Sequence, residues 1–145
     1  SQRHWIQNEA IMLITTNTLK RVRVFADPTK AREAVECLYR VQVLHPFFLY
    51  GFVMMPDHIH LLLQMPEGSA VSQMMSAYKS GLTFDIGTPK LWQRRFHQRI
   101  VEYPPGALEY IHFNPVKAGL VEEPHHYQWS SASGLWDVTP LPMSL

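Results

Sequence analysis

Cysteine is nearly absent from this sequence: Cys37 is the only one. No disulfide can form within the chain, which suits a reducing, cytoplasmic setting. Long apolar runs are missing too. Phe47–Met55 and Ile59–Leu63 are short and separated by Pro56-Asp57-His58, well under the roughly 18–20 residues a membrane helix needs. The opening Ser1-Gln2-Arg3-His4-Trp5 lacks the apolar core and small-residue cleavage site of a signal peptide. Charge of one sign is scarce, since 13 Lys+Arg oppose 12 Asp+Glu for a net +1. That balance argues against a strongly basic nucleic-acid coat. Repeats and low-complexity runs are lacking. What remains is 145 residues, 46% hydrophobic and 17% charged, the profile of a single globular domain over 1–145 with its core at about 11–131 and a tail at 132–145.

The apolar patterning divides that core into alternating elements. Ile11–Leu19 is β-branched enough for a strand, with basic Lys20–Arg23 continuing out of it. Asp27-Pro28 reads as an N-cap followed by a first-turn proline, and Ala31, Ala34, Val35 and Leu38 keep helical spacing, predicting a helix over 28–44. Phe47–Met54 and His58–Met65 read as strands, and the tight Met55-Pro56-Asp57 link makes them an antiparallel hairpin. Val71, Met74, Met75, Tyr78 and Leu82 mark a second helix, and Leu91–Val101 a fourth strand. Pro104-Pro105 opens a third helix to about Phe113, which Asn114-Pro115 interrupts before a short turn stopped by Gly119. The order β-α-β-β-α-β predicts an α+β, ferredoxin-like split βαβ fold with a central antiparallel sheet and an added C-terminal helix. In that topology the third strand is interior.

His58 and His60 lie one residue apart on that strand, so period two directs both imidazoles to one face and Ile59 to the other. Two imidazoles on a rigid strand form half a metal site, suited to Mn or Zn and to Mg only with oxygen ligands beside them. Tyr110 and Asn114 are four residues apart on the predicted third helix and share one stripe, so a phenol and an amide oxygen can face a metal together. Each also has a purely structural use: the ring of Tyr110 packed on the sheet, and Asn114 as N-cap for the turn opened by Pro115. Tyr78 falls in the apolar series of its helix, and Tyr103 precedes Pro104-Pro105 as a turn residue. Basic residues cluster at Lys20, Arg21 and Arg23 and at Lys90, Arg94, Arg95 and Arg99, as solvated faces or as phosphate contacts for which Lys20, Arg21, Arg23, Arg94, Arg95 and Arg99 are the candidates, with Trp92 or Phe96 as stacking surfaces or, for Trp92, core. His97 and His112 are not assigned as a general base, and adjacent His125-His126 make a weak metal pair.

Met55-Pro56-Asp57-His58-Ile59-His60-Leu61-Leu62-Leu63 resembles the motif of the single-tyrosine HUH transposases. Leu91-Trp92-Gln93-Arg94-Arg95-Phe96, the run Tyr110-Ile111-His112-Phe113-Asn114-Pro115-Val116-Lys117-Ala118-Gly119-Leu120-Val121, and Tyr127-Gln128-Trp129-Ser130-Ser131 resemble the REP-associated tyrosine transposase branch. The likeness runs from about residue 11 to 131. It implies a metal-dependent single-strand DNA endonuclease and strand transferase acting on single-stranded or hairpin DNA. Tyr110 would be the nucleophile, forming a 5′-phosphotyrosine link, and His58, His60 and Asn114 would hold Mg²⁺ or Mn²⁺. It further implies a bacterial protein, cytoplasmic and nucleoid-associated when acting, that is a monomer or a homodimer. Two rivals stand beside it: a metal hydrolase using activated water with a passive Tyr110, and a catalytically idle DNA-hairpin-binding protein on the same fold.

Overall fold

The computed structural model describes residues 10–142. The pentapeptide read for a signal peptide, and the last three residues of the expected tail, lie outside the described residues. Four strands and three helices follow the chain as β1 (Ile11–Asn17), α1 (Pro28–Leu44), β2 (Phe48–Met55), β3 (His58–Gln64), α2 (Val71–Ile86), β4 (His97–Ile100) and α3 (Pro104–Lys117). The sheet order is β2-β3-β1-β4, every pair antiparallel. This is the α+β split βαβ arrangement expected, with β3 interior and α3 added. No helix among the described residues is long and apolar enough to cross a membrane.

The helix start at Asp27 is as read, because its carboxylate accepts from Thr29 N at 2.9 Å and Pro28 occupies the first turn. Three boundaries differ from the sequence reading. β1 stops at Asn17, and Lys20 and Arg21 take left-handed φ values of 55° and 56°, so the basic segment turns off the strand. β4 covers only His97–Ile100 rather than Leu91–Val101. The stretch before it is held irregular by Leu19 N to Leu91 O at 2.9 Å, Gln93 N to Asn17 O at 2.9 Å and Lys79 Nζ to Gln93 O at 3.1 Å. α3 runs through Pro115 to Lys117. Proline removes one intrahelical donor, but here only in the last turn. That turn is closed by Ala118 N to Asn114 O at 3.0 Å and Leu120 N to Pro115 O at 2.9 Å, and Gly119 at φ 76° stops it.

The sheet separates two apolar layers. Ile14, Phe52, Met54, Ile59, Leu61 and Leu63 point to α1 and α2 and form the larger core with Ala34, Leu38, Met75 and Tyr78. Leu13, Tyr50, Val53, Leu62 and Val101 point to the other face, where Ala107 and Ile111 of α3 cover them. Gly51 sets how closely α3 settles: a Cβ there would sit 2.3 Å from Leu108 Cδ1. The Tyr127–Ser131 segment runs along β2. Met54 N donates to Trp129 O at 2.8 Å, the Tyr127 hydroxyl to Met54 O at 2.7 Å, and Ser130 bridges Val53. Residues 132–142 continue this strap, with Thr139 N donating to Leu49 O at 2.8 Å.

Candidate active site

Alternation along β3 sends Ile59, Leu61 and Leu63 into the larger core and leaves His58 and His60 on the α3 face. Their rings lie 4.8 Å apart between centroids. His60 is buried, 5% exposed, and its Nδ1 is 2.9 Å from the hydroxyl of Thr15, the residue opposite it on β1. That bond leaves Nε2 unengaged by Thr15. Burial, and then the neighbouring His58 and Arg21, push the imidazole down to about 3. His60 is therefore neutral at ordinary pH, the form that binds metal.

His58 is held from the hairpin turn. Its Nδ1 lies 2.7 Å from Asp57 Oδ1 and 3.3 Å from Arg21 Nη2, and Arg21 Nε reaches the other Asp57 oxygen at 3.1 Å. Burial pushes the Asp57 carboxyl upward, but the hydrogen bonds to His58 and Arg21 outweigh it and hold the group below the usual carboxylate range. Where the Nδ1 hydrogen of His58 goes to this carboxylate and Nε2 carries none, the Nε2 lone pair points outward. That nitrogen faces Asn114 Oδ1 at 3.3 Å. With Nε2 unprotonated, both atoms present lone pairs to the same gap, as ligands of one cation would. Adjacent oxygen or nitrogen ligands on an octahedral ion with bonds of about 2.1 Å are separated by roughly 3 Å, so the donor set fits a divalent ion. Among the described residues no three His, Cys, Asp or Glu side chains gather into a metal cluster; an amide as third ligand is consistent with that.

Tyr110 stands over the pair. Its ring meets His60 edge-on, with centroids 5.4 Å apart and planes at 66°, while 44% of the residue stays exposed. α3 achieves this by burying Ala107, Ile111 and Pro115 on the adjoining stripe. Asn114 is inside the helix and caps nothing, so its structural alternative is removed. Tyr110 does lean on the sheet, yet it stays open to solvent.

The remaining candidates are dispersed. Arg21 belongs to the Asp57–His58 cluster and is not a loose surface cation. Arg99 is exposed and lines a groove with Tyr110. Trp92 is half-buried against Phe25 at 5.8 Å, and its indole N–H donates to Lys79 O at 3.1 Å. One edge of it still lines a groove of about 650 Å³ with Lys79, Arg94 and Phe96. Lys20, Arg23 and Arg95 are exposed. His112 is a structural residue: its Nε2 is 2.8 Å from Ser131 Oγ, whose hydroxyl also accepts from Phe52 N at 3.0 Å, and burial lowers the imidazole. His97 is exposed on β4 opposite Thr15. The rings of His125 and His126 lie 4.3 Å apart between centroids in an exposed turn.

Sequence reasoning missed Asp57 and Thr15. Asp57 was readable as the neighbour of His58, whereas Thr15 needs the β1–β3 register. Asn17, opposite His58, was missed for the same reason; its side-chain amide donates to Gln93 Oε1 at 3.3 Å.

With this geometry in hand, likeness to known proteins is informative. Residues 8–112 match the model of a family described as "Transposase IS200 like". A Haemophilus influenzae protein assigned as a REP-associated tyrosine transposase is 32% identical over 105 residues, 60% of this chain and 60% of that protein. The REP-associated tyrosine transposase of Escherichia coli K12 is 27% identical over 110 residues, 70% of this chain and 67% of that protein. The chain thus spans about 60% of the first relative's length. Among solved structures, a REP-associated tyrosine transposase bound to a REP hairpin superposes with a TM-score of 0.77 at 25% identity, over 97% of this chain and 93% of that one. A Deinococcus radiodurans crystal structure assigned as a transposase shares the fold, with a TM-score of 0.60 at 17% identity over 83% and 96% of the two chains.

Proposed function

The chain belongs to the IS200-like transposase family, and from that premise we propose that it is a REP-associated tyrosine transposase acting as a metal-dependent single-strand DNA endonuclease and strand transferase. Its proposed substrate is hairpin-associated single-stranded DNA; the similar solved structure is of a protein bound to a REP hairpin. The observation that carries the reading is the convergence of His58 Nε2, Asn114 Oδ1, His60 and Tyr110 on one face of the sheet, with His60 and Tyr110 rings 5.4 Å apart and the His58–Asn114 pair at 3.3 Å.

His58, His60 and Asn114 would hold the ion, Mg²⁺ or Mn²⁺, which would supply polarisation of the scissile phosphate and offset charge on its oxygens. The protein residues supply position. Asp57 fixes His58 with its lone pair outward, and Thr15 does the same for His60. A phenol is a weak nucleophile at neutral pH; Tyr110, 44% exposed, can release its proton to water as it attacks. The Tyr110 oxygen bonds to phosphorus in line, the bond from phosphorus to the 3′ oxygen breaks, and that oxygen takes a proton to become a free 3′-OH. The 5′-phosphotyrosine link conserves the energy of the broken bond, so another 3′-OH can reverse the step and join strands without ATP.

The test is a labelled DNA hairpin with single-stranded flanks, incubated with Mg²⁺ or Mn²⁺ and resolved on a denaturing gel. An adduct that survives SDS and disappears in Tyr110→Phe is expected. Cleavage that persists in Tyr110→Phe would instead identify a hydrolase with activated water. Binding without nicking, indifferent to EDTA and to His58→Ala, would identify an idle hairpin-binding protein.

A further inference from the structure

Tyr110 sits on a ridge between two grooves, and both are lined by it and by Gly106. One groove, of about 470 Å³, adds Glu109, Phe113 and Lys117. The other, of about 450 Å³, adds Arg99, Glu102 and Tyr103 among its walls. Each therefore offers the same three chemistries: one aromatic ring, one cation and one carboxylate. The rings are unusually bare for aromatic residues, with Tyr103 70% and Phe113 43% exposed. Packing does not require them there, because α3 buries another stripe, that of Ala107, Ile111 and Pro115.

The helix explains the placement. Gly106, Tyr110, Phe113 and Lys117 recur at intervals of four, three and four, so they share one stripe. Gly106 lets the Tyr103 ring lie against the helix, since a Cβ there would be 3.0 Å from Tyr103 Cδ2. Arg99 arrives from β4, opposite Leu13 on the α3 face of the sheet. The volumes fall within the ~300–1,000 Å³ of small-ligand sites. An unpaired nucleotide presents a matching set of groups: a π-face to stack, a phosphate for the cation and base-edge N–H donors for the carboxylate.

We infer that Tyr110 lies between two single-nucleotide subsites, Phe113 with Lys117 on one side and Tyr103 with Arg99 on the other, which hold the unpaired bases flanking the scissile phosphate. This rests on the nicking reading above and gives it a substrate geometry. The aromatic rings carry stacking, Lys117 and Arg99 take the adjoining phosphates, and Glu109 and Glu102 favour bases that donate from their edges. A nucleophile between two stacked bases meets a phosphate that is held from both sides.

The probe is a DNA stem-loop with a randomised single-stranded flank. One sequence that forms the SDS-stable adduct is taken forward with its nick position mapped, and binding is read by anisotropy in EDTA with the full chain. Phe113→Leu and Tyr103→Leu keep apolar bulk at exposed positions and leave the melting temperature unchanged. Each is expected to weaken binding about five-fold or more, the scale of a lost base–aromatic stack, and Phe113→Trp restores it. An abasic nucleotide on one side of the nick makes Phe113→Leu silent while leaving the Tyr103→Leu loss intact, and one on the other side does the reverse. Leucine variants that bind like the wild type, no rescue by tryptophan, or losses that simply add to every abasic substitution overturn the subsites. An adduct formed alongside such results leaves the nicking reading standing. No adduct with any flank overturns both.

Discussion

Metal-free protein is expected to lose stability as the pH falls from 7 toward 5, and His60 is expected to be a principal cause. The residue is 5% exposed, and its folded-state imidazole is pushed from 6.5 down to about 3. In the unfolded chain the ring returns to its ordinary range. Below pH 6.5 the unfolded chain therefore takes up a proton that the folded chain refuses. Stability is complete above 6.5 and declines until the folded imidazole titrates near 3. The gap corresponds to at most about 5 kcal/mol, of which about 2 kcal/mol are lost between pH 6.5 and 5. Small domains hold only ~5–15 kcal/mol in total, so the loss is measurable. Urea unfolding in EDTA at pH 7, 6 and 5 gives the slope, and His60→Gln isolates it from His112, which burial also lowers. The wild-type curve should fall more steeply than that of His60→Gln by about 1 kcal/mol per pH unit. Parallel curves would refute the account of a desolvated, neutral His60.

Three further outcomes follow from the same geometry. Gly51→Ala places a methyl group 2.3 Å from Leu108 Cδ1. It should cost about 1–3 kcal/mol in thermal unfolding, and Leu108→Ala in the same chain should remove part of that cost; strictly additive losses would show that the two positions do not meet. Asp57→Ala removes the partner of His58 Nδ1 and is expected to weaken Mn²⁺ binding about 10–100-fold by calorimetry, whereas unchanged affinity would deny Asp57 its orienting role. Burial pushes the Cys37 thiol up to about 11, and the residue is 2% exposed. A thiol reagent at pH 7.5 should therefore label it only after denaturant is added, and rapid labelling of native protein contradicts its burial.

Local signals in the sequence carried much of this architecture. Asp27-Pro28 opened α1, period two put His58 and His60 on one face, and a four-residue interval put Tyr110 and Asn114 on one stripe. Those features depend on neighbours within a turn or a strand. The parts that stayed hidden depend on distant partners. Thr15 reaches His60 only through the β1–β3 register, and Arg21 reaches Asp57 only because two consecutive residues adopt left-handed φ. The irregular segment before β4 is set by Lys79 and Asn17, far from it in sequence. Pro115 misled for a different reason: the general penalty of an internal proline is small when the helix ends two residues later. Phe113 and Lys117 belong to the stripe of Tyr110, but their exposure became visible only once the opposite face of α3 was seen to be full.

The strap along β2 has a consequence for the molecule's surface. An open sheet has two rims, and either can recruit a foreign strand by backbone pairing. Here the rims are guarded by different means. Trp129, Ser130 and Thr139 seam the β2 rim shut with the chain's own backbone, while β4 is short, fully exposed and carries Arg99 and His97. Cutting the chain before Thr139 would unpick the bond to Leu49 and bare the start of the apolar β2 rim, while Trp129 and Ser130 still cover its other end. Shortened versions meant for biochemical work should therefore end beyond that residue.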